Sequence, residues 1–192
     1  MRRLFLFISL LFISISCSTD DNTLNEGINQ SKINEVLNQN DYETQKVMYR
    51  MLNQNEKLTL WDNKINNLIL NNNLNKKQVE LLNELKINLK TEIFNQVSSE
   101  NKTIFKTVFV KDFLNKSKSV FASEFFFDNF YNIQLKIAPI DSELPDCTCN
   151  KGSAFSCGWN SVTCRESDKC SDTDDGCGFL LLYSCNGRCF LY

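Results

Sequence analysis

The chain has 192 residues, enough for one ordinary domain and a small appendage, and its 42% apolar and 23% charged residues mark a folded protein rather than a disordered one. Its formal charge is −2, or −4 without Arg2 and Arg3, which leaves no electrostatic footprint for a phosphate backbone and argues against nucleic acid as a partner. Histidine is absent, which removes the commonest general base at neutral pH and the commonest metal ligand.

Met1-Arg2-Arg3 forms a short positive segment, and the apolar stretch from Leu4 to Ile15, relieved by Ser9 and Ser14, is too short to span a bilayer. Residues 1–16 are therefore expected to be an export signal. The segment Ile13-Ser14-Ile15-Ser16-Cys17 resembles the lipobox of bacterial lipoproteins, with a small residue before the acceptor cysteine. Ser14 departs from the aliphatic residue that pattern prefers, and an ordinary secretory signal is the alternative. The resemblance implies lipid attachment at Cys17 and a membrane partner held through it, each buried methylene contributing about 0.8 kcal/mol. Ser18-Thr19-Asp20-Asp21 resembles the acidic stretch that sends some Bacteroidetes lipoproteins outward, which implies an outer-membrane or cell-surface location rather than the cytoplasm. Residues 17–30, polar and carrying Gly27, are also what a solvated tether requires.

From Ser31 to Tyr131 there is no glycine or proline, and a helical domain over 31–138 is expected. Asp41 is placed to cap a helix with Tyr42, Met48, Tyr49 and Leu52 on its apolar side. Asn55 is placed to cap the next, which carries Leu58, Trp61, Ile65, Leu68 and Ile69. Asn71-Asn72-Asn73 is a helix stop, and Asn75 with Gln78 has capping-box spacing ahead of Val79, Leu82, Leu85 and Leu89. A fourth helix is expected to carry Ile104, Phe105, Val108, Phe109, Asp112 and Phe113, and a fifth Val120, Phe121, Phe125 and Phe130. The density of Phe125-Phe126-Phe127 with Phe130-Tyr131 exceeds one helix face, which a helix buried on two sides explains better than a ligand groove.

Pro139 and Pro145 mark a linker over 139–146, after which eight cysteines (Cys147, Cys149, Cys157, Cys164, Cys170, Cys177, Cys185 and Cys189) fall within the last 46 residues. An even number at close spacing in an exported chain reads as four disulfides, because a region so small must gain from covalent loop closure what packing does not supply. A thiolate metal site is disfavoured: no C-x-x-C pair occurs and no histidine is present. Asn186-Gly187, between the run Phe179 to Tyr183 and Cys189 to Tyr192, is a hairpin signal. A two-residue turn there would set Cys185 opposite Arg188 and Ser184 opposite Cys189, so that Cys185 and Cys189 should not pair with each other. Cys147 and Cys149 would share a face if extended, and the rest of the pairing is left open. Asp172, Asp174, Asp175 and Gly176 suggest calcium, but the spacing misses the EF-hand loop and a polar turn is the better reading. The expected fold class is thus mainly α: a small helical bundle followed by a small disulfide-rich β-hairpin module over 147–192.

Cys147-Thr148-Cys149, Cys170-Ser171, Gly176-Cys177-Gly178 and Tyr183-Ser184-Cys185-Asn186-Gly187, close to an aromatic C-terminus, resemble the bacteriocin fulvocin C and its related proteins in Bacteroidetes. The likeness covers about a quarter of the chain. Leu60-Trp61 and Leu74-Asn75-Lys76-Lys77-Gln78 are similar to the precursor region of those proteins. In the bacteriocin pattern two cysteines precede the Asn-Gly pair; here only Cys185 does and Cys189 follows, which implies a re-routed bridge. The resemblance implies an exported bacteriocin-like protein that antagonises related bacteria through its C-terminal module, displayed on the surface or released as a peptide near Pro145. From Asp146 onward six acidic residues outnumber Lys151, Arg165, Lys169 and Arg188, which fits an envelope receptor better than lysis of an anionic membrane. Phe179, Leu181, Tyr183, Arg188, Phe190 and Tyr192 are the candidate contacts, although for the run from Phe179 to Tyr183 the hydrophobic core is the better reading in so small a module. The alternative from another class is a non-toxic cell-envelope lipoprotein whose disulfide-rich module binds a surface partner. No catalytic residue, cofactor or metal is expected, since nothing sets two carboxylates across a cleft and disulfide sulfur is not nucleophilic.

Overall fold

The computed structural model describes residues 27–95, 99–131, 147, 149–157, 162–170 and 175–191. The export signal, Cys17, the tether before Gly27, the linker with Pro139 and Pro145, Asp172, Asp174 and Tyr192 lie outside the described residues.

The chain is mainly helical with a small disulfide-rich β region at its C-terminal end, the fold class expected from the sequence. Helix α1 (Gln30–Asn38) is capped by Asn29 and α2 (Tyr42–Arg50) by Asp41, whose carboxylate accepts from the Thr44 N–H at 2.7 Å. Helix α3 (Gln54–Asn71) begins two residues earlier than expected. Asn53, not Asn55, caps it, because only Asn53 has a glutamate three positions on to complete the capping box. Glu56 closes that box at 2.8 Å with one carboxylate oxygen, and its other oxygen accepts from the Asn29 N–H at 3.2 Å. One buried side chain therefore ties the starts of α1 and α3 together.

Helix α3 ends at the asparagine run, and α4 (Lys76–Asn88) opens with the expected box of Asn75 and Gln78. A 3-10 turn, Thr91–Phe94, buries Ile93 and Phe94. From the cap Ser99, α5 (Glu100–Ile104) runs through a π-helical turn (Phe105–Phe109) into α6 (Val110–Ser117). Phe105, Val110, Phe113 and Leu114 face the core, whereas Ile104 and Val108 are exposed. Helix α7 (Ser123–Phe130) starts later than expected: Val120 and Phe121 lie in the preceding turn. The aromatic run is core, as the density of rings suggested, with Phe126 and Phe130 fully buried.

The strands correct the sequence reading. Strand β1 (Val162–Glu166) pairs antiparallel with β4 (Gly187–Leu191), and β2 (Asp175–Cys177) with β3 (Tyr183–Ser184). Cys164, not Ser184, stands opposite Cys189, and Arg165, not Cys185, opposite Arg188. Asn186-Gly187 is not a two-residue hairpin turn. Both N–H groups donate to the Cys149 carbonyl, at 3.1 and 3.0 Å, and the Asn186 carbonyl accepts from Ser167. Glycine is required at 187 by close approach, since a Cβ there would fall 2.5 Å from the Arg165 carbonyl oxygen. Asp175 and Gly176, expected in a polar turn, lie in β2, where Gly176 packs against the Arg50 guanidinium.

Candidate functional site

Four disulfides join Cys147 to Cys170, Cys149 to Cys164, Cys157 to Cys189 and Cys177 to Cys185. Cys185 and Cys189 have different partners, as expected, although the strand register behind that expectation does not hold. Cys147 adopts φ of 65°, so it and Cys149 do not continue one extended strand. The sulfurs of Cys149, Cys157 and Cys164 lie within 4.8 Å of one another, but each is committed to a disulfide and offers no thiolate to a metal.

Cys177 and Cys185 are eight residues apart, and their bridge closes a loop that contains the turn Phe179–Leu181. Gly178 enters the turn at φ of 68°, in the left-handed region that costs glycine least. A Cβ there would also lie 2.5 Å from the Ser153 hydroxyl and 2.8 Å from the Tyr183 ring. Leu180 and Leu181 both adopt φ of 54°, which bulky L-residues reach only at a cost of about 1–2 kcal/mol each. Burial opposes that strain: Phe179 and Leu180 are 0% exposed, and Leu181 and Leu182 1%.

The turn's surroundings come from the helices. The Phe179 ring stacks on Phe126 at 6.0 Å between centroids and meets Phe113 at 5.4 Å and Phe130 at 5.9 Å. The Trp61 indole N–H donates to the Tyr49 hydroxyl at 3.1 Å, and that hydroxyl donates to the Leu180 carbonyl at 3.3 Å. The Tyr131 hydroxyl donates to the Ala154 carbonyl at 2.7 Å, and burial holds its ionisation well above the usual phenol range. Burial likewise pushes Tyr183 up to about 12, while the Lys106 ammonium sits 4.4 Å above its ring. Deeper in the bundle Lys64 lies over the Trp61 ring at 5.5 Å, and burial lowers its pKa to about 7 against the opposing pull of Asp128.

The expected contact residues therefore separate into two groups. Phe179, Leu181 and Tyr183 belong to the core shared with the helices and form no surface patch in this fold. Phe190 is 40% exposed, with the Arg165 guanidinium 5.2 Å from its ring, and Arg188 is half-buried. Burial on all sides needs an unbroken apolar run such as Phe179 to Leu182, whereas a half-exposed strand would alternate; that difference was the available signal. No family model, curated protein or solved structure matches this chain. Among the described residues no helix is long and apolar enough to cross a membrane.

Proposed function

We propose that the chain is an exported bacteriocin-like protein, tethered through a lipid on Cys17, whose C-terminal cysteine region antagonises related bacteria. In this reading the helical region keeps it latent. The observation that carries it is the burial of Phe179 to Leu182 against Phe113, Phe126 and Phe130. A disulfide-rich region with a core of its own would not need to bury four consecutive apolar residues in a neighbour. One that acts through an apolar turn would need that turn covered until it reaches its target. The excess of acidic residues directs the reading to a receptor rather than to bulk anionic lipid.

A second reading, a non-toxic envelope lipoprotein that binds a surface partner, draws on the same shared core, because a region so embedded is suited to permanent display. Phe190, Arg165 and Arg188 would then form its outward contact. The two readings separate with purified, disulfide-intact protein carrying an engineered protease site between 139 and 146. Growth inhibition of related strains only after cutting supports the latent toxin. Inhibition by neither form, together with saturable binding of the uncut protein to intact cells, supports the binder and overturns the toxin.

A further inference from the structure

The bridges Cys149–Cys164 and Cys157–Cys189 meet beside β4, where the sulfurs of Cys149, Cys157 and Cys164 lie within 4.8 Å of one another. Among the described residues no other bridge has a third sulfur so close to both of its own. We propose that this cluster is a thiol-exchange site, at which an external thiol converts the two bridges into Cys149–Cys157 and Cys164–Cys189.

Backbone register brings these sulfurs together. Cys149 stands opposite Gly187 on one side of β4, and Cys164 opposite Cys189 on the other. Gly187 and Cys189, two positions apart, share a face of the strand. A Cβ on Gly187 would fall 2.6 Å from the Cys164 sulfur, so the bare glycine leaves room for the Cys149–Cys164 bridge to cross above it. The Ser167 N–H donates to the Asn186 carbonyl, and hydrogen-bonded and unbonded pairs alternate along antiparallel strands, so Cys164 and Cys189 form an unbonded pair. Such a pair sets its Cα atoms about 4.5 Å apart, inside the roughly 4.4–6.8 Å that a disulfide spans. The other new bridge joins Cys149 and Cys157, whose sulfurs are already neighbours. Neither bond requires the strands to change register.

The exchange runs as a closed cycle. An external thiolate attacks the Cys189 sulfur, forms a mixed disulfide there and expels the Cys157 thiolate. Cys157 attacks the Cys149 sulfur, forms Cys149–Cys157 and expels the Cys164 thiolate. Cys164 then attacks the Cys189 sulfur across the strand pair, forms Cys164–Cys189 and returns the external thiolate. Each step makes one S–S bond and breaks one, so nothing is oxidised or reduced overall. Access follows the same order: Cys157 and Cys189 are half-buried, whereas Cys149 is fully buried and is reached from within the cluster. The present pairing ties residues 150–157 to β4, and that segment meets the helices through the Ala154 carbonyl on Tyr131 and the Phe155 ring under Lys118. Exchange unties it from β4 and closes it on itself, whichever reading of the function holds.

The test incubates the oxidised full-length chain with a catalytic amount of reduced glutathione, in a Cys17→Ser background so that the chain brings no thiol of its own. After acid quenching, cleavage at Lys151, Trp159, Arg165 and Arg188 separates the two pairings as different crosslinked peptides for mass spectrometry. Over hours the Cys157–Cys189 peptide should be lost and a Cys164–Cys189 peptide gained in parallel, at unchanged intact mass and only when the thiol is added. In a second variant, Cys149→Ser with Cys157→Ser, the remaining Cys164 and Cys189 should join on air oxidation. Native pairing alone after incubation, a mixed disulfide as the only product, or general shuffling that draws in Cys170, Cys177 and Cys185 would each overturn the proposal. So would free thiols at both Cys164 and Cys189 in the folded second variant.

Discussion

The Tyr49 hydroxyl donates to the main-chain carbonyl of Leu180 at 3.3 Å across 131 positions of sequence, and so joins α2 to the turn of the cysteine region. The same oxygen accepts from Trp61, so both neighbours depend on one phenol for a buried hydrogen bond. In Tyr49→Phe the Leu180 carbonyl and the Trp61 indole N–H would lose that partner, and each unsatisfied buried group costs about 1–3 kcal/mol. We expect a loss of about 2 kcal/mol or more in urea unfolding of the oxidised protein.

Phe179→Ala tests whether the two regions fold as one. Removing a fully buried ring from a cluster of aromatics should cost about 3–5 kcal/mol. Because Phe113, Phe126 and Phe130 lose a shared neighbour, helical CD and near-UV signals should fall together at the lower denaturant concentration. A helical transition that stayed at its wild-type midpoint would mean that the regions are independent.

Gly178→Ala introduces a side chain at φ of 68° and within 2.5 Å of Ser153. Strain and clash together should destabilise the oxidised protein by about 2 kcal/mol or more, beyond the usual cost of a glycine replacement. Gly27→Ala, with nothing within 4 Å of the added Cβ, is the control and should change nothing measurable.

Stability should rise and then fall with pH. Lys64 titrates at about 7 when folded and near 10.5 when unfolded. Between those values the unfolded chain holds a proton that the folded one has released, so stability increases with pH. Tyr183 has the opposite sign, titrating near 10 unfolded and about 12 folded, so stability declines as pH passes through that window. Urea midpoints from pH 6 to 11 should peak near pH 10, and Lys64→Met should flatten the rising limb and stabilise the protein by about 1–3 kcal/mol at pH 6. A flat wild-type profile between pH 7 and 10 would contradict a buried Lys64.

The sequence by itself determined the helical class, the caps at Asp41 and Asn75, the stop at the asparagine run and the concentration of disulfides at the C-terminal end. Each rests on interactions between residues a few positions apart, or on cysteine count alone. Local patterning also misled where two signals competed: Asn55 lacked the glutamate that Asn53 has, and Asn186-Gly187 carried the turn signature while serving a close crossing of three chain segments. Only the tertiary structure decided which strands pair, which cysteines join, and that Phe179 to Leu182 fills the helical core. Those outcomes depend on contacts between residues far apart in the chain, and an uninterrupted apolar run records that it must be buried without recording against what.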